Sequence, residues 1–351
     1  KSKIIFNLLV MEILKPEQIK SPQFVGVIEE KIKAEDWLMG AMGKAPINPS
    51  MDWVKSVTEY ELQYNKWFDN WSCASNAPWI STQTLINFKY RIVLDKSRRY
   101  TAVMSGTQPR KGNSINAPFE SIRKDGCVDE TDYPTMPPEM TEVEYYKPVP
   151  DFIKKLENFK KDWSFNHEWL PSGAGVPTPE QMMTALTLSP VVVAINGSYQ
   201  FDANGNLSND GPISHAICIV KPDVENNRWL AVDSENPSGL LPIKWDYKFR
   251  YCKIGYVEKK KSLPLDKPFI QNGKGIYQLA KEGKYKGLYV GWNSEAAFKA
   301  IIGDWKEAKI TKVSELPSNM SDVLIDVLKN PAIDTGAKLD FIEWLQSIFK
   351  L

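Results

Sequence analysis

The chain has 351 residues, 42% hydrophobic and 25% charged, the balance of a soluble globular protein long enough for one large domain with attachments or for two domains. A formal net charge of +1 gives no bulk attraction to nucleic acid or to an acidic membrane surface, and apolar runs such as "VVVAI" are far too short to span a bilayer. The four cysteines, Cys73, Cys127, Cys218 and Cys252, are scattered without a C-x-x-C pair, which excludes zinc-ribbon and thioredoxin-type motifs and, being disulfide-poor, suits a reducing compartment.

In chain order, "KSKIIFNLLVMEILK" has some look of a signal peptide, but Asn7 and Glu12 interrupt it and no small-residue cleavage site follows, so it reads as a short strand or helix. Residues 1–45 form a leader, with an amphipathic helix expected over "VGVIEEKIKAEDWLMGAM"; the leader is placed either to cover a groove or to link to another domain. "KAPINPS" separates it from a domain over residues 46–262. Apolar residues at helical spacing predict a helix from Cys73 through "ASNAPWISTQTLINFKYRIV", a second over "NAPFESIRKDG" closed by Gly126, and a third over "TPEQMMTALTLS", capped by Thr178 with Pro179 in its first position. Four β-type runs follow: "PVVVAING", "HAICIVKPD", "RWLAVDSEN" and "CKIGYVEKK". Helices before strands argue an α+β fold rather than a βαβ alternation. "EKKKSLPLDKP" is a charged linker, and residues 263–351 form an extension with a hairpin at "GIYQLAKEGKYKGLYVGW", a helix at "SEAAFKAIIGDW" and an amphipathic last helix at "KLDFIEWLQSIFKL". The basic pairs Arg98–Arg99, Arg110–Lys111 and Arg123–Lys124 read as solvated surface.

Only two histidines exist, His167 and His215. His167 lies among aromatics in "WSFNHEWLP" and reads as structural. His215 stands at the mouth of an apolar strand, and Asp233 ends the next one; neighbouring antiparallel strands bring such a pair together, the geometry in which a carboxylate orients an imidazole. Cys73 sits at a helix N-terminus, where backbone N–H groups and the helix dipole favour a thiolate. Cys73 and His215 stand about 140 residues apart, inside the ~130–150 of papain-like enzymes. Nucleophile, base and orienter are thereby all represented.

Six segments in order then resemble the papain family of cysteine peptidases: "MDWVKSVTEYELQ", "SCASNA", "KDGCVDETDYP", "TALTLSPVVVAIN", "SHAICIV" and "RWLAVDSEN". The insert-rich form resembles bacteriophage-encoded members. The resemblance implies a papain-like two-lobe fold, an N-terminal helical lobe and a C-terminal antiparallel barrel-like lobe. It implies Cys73 as nucleophile, His215 as general base and then acid, and Asp233 as orienter where the family has Asn, with Asn236 as the fallback. The oxyanion donors would be the Cys73 N–H and the Gln63 side chain. Gln63 precedes Cys73 by ten residues, a longer gap than in papain, so "YNKWFDNW" must bulge out; otherwise Asn70 or a water takes the role. Ala74 replaces the family's tryptophan, and "DSENPSG" lacks its aromatic cover, which Trp71, Trp79 or Trp245 would supply. No metal or cofactor is implied. The expected partner is a protein or peptide substrate, with a phage or viral structural protein as one case and further structural subunits through residues 263–351; nucleic acid and membrane are not expected. A cytoplasmic or virion-associated location follows from that setting. Two rival functions stand beside it: a peptidoglycan-degrading Cys/His amidase or endopeptidase, and a catalytically inactive papain-like structural or adhesion module.

Overall fold

The computed structural model describes residues 11–22, 26–32, 36, 39, 46–58 and 62–260, and beyond them only 278–279, 289–290, 339, 342–343 and 346. Lys1–Lys260 form one compact unit and Lys261–Leu351 another. The elements of the first unit are β1 (Glu12–Ile13), α1 (Cys73–Tyr90), α2 (Arg98–Met104), α3 (Asn116–Lys124), α4 (Glu142–Tyr145), α5 (Asp151–Lys154), α6 (Phe159–Asp162), β2 (Trp163–Trp169), α7 (Pro179–Leu186), β3 (Val191–Ile195), β4 (His215–Asp223), β5 (Arg228–Val232), β6 (Gly239–Lys244) and β7 (Arg250–Lys259). The fold is α+β. Seven strands form one sheet in the order β1-β6-β5-β4-β3-β7-β2, antiparallel throughout except where β1 runs parallel to β6.

Helix α1 packs on β4 and β7 and is buried on every side from Cys73 to Ile86, as a core helix rather than a surface one must be. Its Trp79 indole donates to Thr101 Oγ1 at 2.7 Å and meets Phe159 edge-on with centroids 5.2 Å apart, so the ring is buried and its N–H satisfied. The expected α1, α3 and α7 and the strands β3, β4, β5 and β7 all form. Gly126 closes the turn after α3 at φ +73°, a conformation glycine adopts at no steric cost. Thr178 caps α7 reciprocally with Gln181, at 3.2 and 2.9 Å. Thr178→Ala is expected to cost about 1 kcal/mol in urea denaturation.

Three expectations are corrected. No helix forms in the described leader residues 26–32; Val27 instead bridges Asn113 in parallel, because partners on other segments take up these backbone groups and tertiary pairing overrides propensity. Arg98 and Arg99 are buried, at 2% and 9% exposure. Arg98 donates to Gln83 Oε1 at 3.2 Å, Arg99 to the Tyr145 carbonyl at 3.1 Å, and Arg99 stacks 4.3 Å over Tyr133. Trp245 covers no site; it stacks on Trp229 at 4.2 Å. Arg110, Arg123 and Lys124 are solvated as read.

Strand β2 pairs with β7 from Trp163↔Lys259 to Trp169↔Lys253. His167 on it lies 2.9 Å from Glu120 Oε1 and against Phe119. Burial pushes its pKa down to about 4 despite Glu120, so it is a neutral core side chain. In the second unit, β8 (Gln278–Leu279) and β9 (Tyr289–Val290) pair antiparallel within the expected hairpin. Leu339, Ile342, Glu343 and Gln346 are helical, within the expected last helix. The helix expected over "SEAAFKAIIGDW" lies outside the described residues.

Candidate active site

The turn that delivers Cys73 is built from side chains. Asp69 Oδ1 accepts the Trp71 N–H at 2.7 Å, and Asn70 Oδ1 accepts both the N–H and the hydroxyl of Ser72, at 3.0 and 2.5 Å. These bonds hold Trp71 at φ +47°, where a tryptophan rarely sits. Cys73 follows as the first residue of α1, its N–H outside the helix's own ladder. All four cysteines are free and buried. Burial pushes the Cys127 thiol up to about 12 and raises Cys218 and Cys252 as well, so these three stay protonated core sulfurs.

His215 opens β4 and Asp233 directly follows β5; those neighbouring strands bring them together as the sequence pattern requires. His215 Nε2 lies 2.8 Å from Asp233 Oδ1. Its Nδ1 is buried without a hydrogen-bond partner and is the nitrogen left to face Cys73, whose sulfur interacts with the ring. Burial opposes a charged imidazole, but Asp233 and Cys73 outweigh it and raise the His215 pKa well above its ordinary value. Burial likewise opposes ionisation of Asp233, and His215 with the surrounding donors holds its carboxyl below the usual range. Those donors are the Glu235 N–H at 3.1 Å on Oδ1, and the Tyr199 hydroxyl at 3.0 Å and Asn236 Nδ2 at 2.6 Å on Oδ2. Charge-assisted bonds of this kind fix both the tautomer and the plane of the ring.

Gln63 returns to the site because the intervening segment folds into a hairpin. Tyr64 bridges Asp69, Asn65 N donates to the Phe68 carbonyl at 3.1 Å, and Asn70 N donates to the Gln63 carbonyl at 2.8 Å. The Gln63 side chain is 2% exposed. Its Oε1 accepts from the Ser234 hydroxyl at 2.8 Å, and its Nε2 donates to Glu235 Oε1, with Asp69 Oδ2 3.5 Å away. The Asn70 side-chain carbonyl is held within the turn, while its Nδ2 is buried without a hydrogen-bond partner.

The leader crosses this site. Gly26 N–H donates to the Ser214 carbonyl at 2.6 Å, Asn113 N–H to the Gly26 carbonyl at 3.1 Å, and Ile28 N–H to the Asn113 carbonyl at 2.8 Å. A Cβ on Gly26 would stand 2.4 Å from Cys73 Sγ, and one on Gly112 would stand 2.0 Å from the Gly26 carbonyl oxygen. Lys20 and Asn236 exchange two hydrogen bonds, at 2.6 and 2.9 Å. Glu30 Oε1 accepts from Asn116 N at 2.8 Å. Cys73, His215 and Asp233 are accordingly 0% exposed. Beside them a cavity of about 750 Å³ is lined by Lys20, Tyr64, Trp67, Asp69, Trp71 and Glu235 among others. Among the described residues no group of three or more His, Cys, Asp or Glu side chains is placed to hold a metal ion, and no helix is long and apolar enough to cross a membrane.

The structure thus gathers Cys73, His215, Asp233 and Gln63. It adds Tyr199, Ser234 and Glu235, which sequence reasoning passed over. Ser234 and Glu235 were discoverable, since they directly follow Asp233; Tyr199 reaches the site from the loop after β3 and left no local signal.

No protein-family model and no curated protein matches the sequence. In structure the chain is similar to the bromelain protease from Ananas comosus bound to the E64 inhibitor, at 16% identity and TM-score 0.42, covering 59% of this chain and 96% of that one. It is similar to xylellain, a cysteine protease from Xylella fastidiosa, at 15% identity and TM-score 0.46, covering 69% and 98%. It is also similar to the cysteine protease and lectin-like domains of Cwp84, a surface layer associated protein of Clostridium difficile, at 16% identity and TM-score 0.46, covering 74% and 59%. These neighbours are papain-like cysteine proteases; likeness at such identity concerns fold and not activity.

Proposed function

We propose that the chain is a cysteine peptidase whose leader lies in its own substrate groove. The observation that carries this reading is the extended backbone of Gly26–Ile28, hydrogen-bonded on one side to Ser214 and on the other to Asn113, directly over Cys73. A groove that satisfies the N–H and C=O groups of an extended peptide at a Cys–His pair has the shape a peptide substrate needs.

In the reaction, His215 holds the proton taken from Cys73, and the thiolate attacks the scissile carbonyl carbon. The oxyanion collects the N–H of Cys73 and a Gln63 N–H. The imidazolium then gives its proton to the leaving amine, an acyl-enzyme remains, and water attacks it with His215 again accepting a proton. Asp233 holds the ring in place through both changes of charge. With the leader seated, the same geometry is closed to substrate, so the chain is latent until residues 20–22 and 26–28 move away.

The test is active-site labelling by E-64 combined with hydrolysis of a peptide library at near-neutral pH. Cys73→Ala is expected to abolish labelling and to lower cleavage by at least roughly 10³-fold. Purified peptidoglycan as the favoured substrate would point to the amidase reading. Wild-type Cys73 reacting no faster than the other three cysteines, with no cleavage of any substrate after leader removal, would mean an inactive module. The phage or virion setting and a subunit-binding role for residues 263–351 draw no support from the fold or the site, and the proposal is made without them.

A further inference from the structure

Gln63 is held in an unusual way. Ser234 fixes its carbonyl end, which turns its NH₂ group toward carboxyls, and one of its hydrogens goes to the buried Glu235. Glu235 and Asp69 converge on that one amide, Gln63 Nε2 donating to Glu235 Oε1 and facing Asp69 Oδ2, so the two carboxyls lie side by side. Two carboxyls so placed can lie together only if one of them keeps a proton. Burial first, and then Asp69, push the Glu235 pKa up to about 8, so at neutral pH Glu235 is the protonated member. The other groups facing it are His215 from β4, Asp233 from the end of β5 and Tyr199 from the loop after β3, with Lys20 of the leader at the cavity wall. Gln63 Nε2 lies a long 3.5 Å from Asp69 Oδ2, so its second hydrogen is the one available to an oxyanion.

Resting on the peptidase reading, we propose that Glu235 is a positioning residue for Gln63: its carbonyl oxygen aims the amide, while the proton it keeps beside Asp69 holds a second negative charge away from the developing oxyanion. The consequence is directional. When Glu235 ionises, two adjacent carboxylates face the place where transition-state charge develops, and hydrolysis slows.

The experiment measures kcat and KM for a peptide substrate from pH 5 to 10 on the full-length chain carrying Gly26→Leu, which lifts the leader from the groove, normalised to sites titrated with E-64. This open chain is the reference, called wild type, for the Glu235 and Asp69 variants. The wild type is expected to lose activity as pH rises through about 8. Glu235→Gln keeps an acceptor for Gln63 without a titrating proton, so its alkaline limb is expected to vanish. Asp69→Asn removes the neighbouring charge and is expected to move the limb to lower pH. Glu235→Ala is expected to lower kcat by roughly 10–100-fold with KM within about threefold, and Glu235→Gln to recover most of it. Alkylation of Cys73 by iodoacetamide, which forms no oxyanion, is expected to change by no more than about threefold in Glu235→Ala. An alkaline limb that persists in Glu235→Gln, or wild-type kcat in Glu235→Ala, overturns the role of Glu235 and leaves the peptidase reading standing. Absence of both labelling and hydrolysis in the opened Gly26→Leu chain overturns both.

Discussion

Gly26→Leu is expected to raise the rate at which iodoacetamide alkylates Cys73 by roughly a hundredfold, the factor that corresponds to about 2.7 kcal/mol of lost leader binding. A Cβ at position 26 would lie 2.4 Å from Cys73 Sγ, closer than any real contact. The sulfur has little freedom to give way, since Cys73 is buried at the start of a helix that is itself packed on all sides. The leader must therefore lift. Lifting forfeits the Gly26 and Ile28 hydrogen bonds to Ser214 and Asn113, each worth about 1 kcal/mol net. The flanking anchors at Lys20–Asn236 and Glu30–Asn116 remain, so the chain stays folded while the groove opens. Protection of the amides of residues 26–28 from hydrogen exchange should fall in parallel. A variant that alkylates at the wild-type rate, with those amides still protected, would show that the leader does not seal the site. Gly112→Ala offers an independent approach from the opposite wall, because its Cβ would meet the Gly26 carbonyl oxygen at 2.0 Å and its φ is +71°.

The central elements of the site could be read from the sequence because each lies on a regular element with a strong local pattern. The apolar spacing after Cys73, the "HAICIV" run after His215 and the "RWLAV" run before Asp233 set a helix start, a strand start and a strand end. Adjacency of β4 and β5 then follows from their short connection. What could not be read depended on tertiary pairing. Residues 26–32 carry a helical pattern, yet no helix forms there, because Ser214 and Asn113 take up the backbone of Gly26–Ile28 from two other segments. Arg98 and Arg99 look like solvated charge until Gln83, Tyr133 and the Tyr145 carbonyl receive them. Strand β2 had a legible period, Trp163, Phe165, His167 and Trp169 on one face, but its charged flanks concealed it. The ten-residue gap before Cys73 looked like an obstacle for Gln63, and a side-chain-capped turn at Asn65 closes it, Asn65 Oδ1 accepting from Trp67 N and Phe68 N at 2.8 and 3.1 Å.

Asp233 carries the second large effect. Asp233→Ala is expected to lower kcat/KM by roughly 10³–10⁴-fold, as loss of the group that fixes an imidazole's tautomer does elsewhere. It also leaves His215, buried at 0% exposure, without its partner, at a cost of about 3–5 kcal/mol. The pH dependence of that cost has a definite sign. Asp233 has a lowered folded pKa, so its contribution is present above the unfolded aspartate value near 3.9 and fades as pH falls. His215 has a raised folded pKa, so its contribution is complete below the unfolded histidine value near 6.5 and fades as pH rises toward the raised one. The stability difference between wild type and Asp233→Ala should therefore be greatest between about pH 4 and 6.5, and chemical denaturation across pH 3 to 10 measures it. Asp233→Asn is the more discriminating change. Its remaining oxygen can still face His215 Nε2, but the amide nitrogen then takes the place of Oδ2, which now accepts from Tyr199 and Asn236. The Tyr199 hydroxyl can turn to accept, but Asn236 Nδ2 would face another donor, costing about 1–3 kcal/mol, unless the Asn236 amide turns over and gives up its bond to the Lys20 carbonyl. Asp233→Asn should thus lose stability as well as activity and loosen the leader at Lys20. A fully stable, fully latent Asp233→Asn protein would mean that the carboxylate serves only the histidine and not the leader.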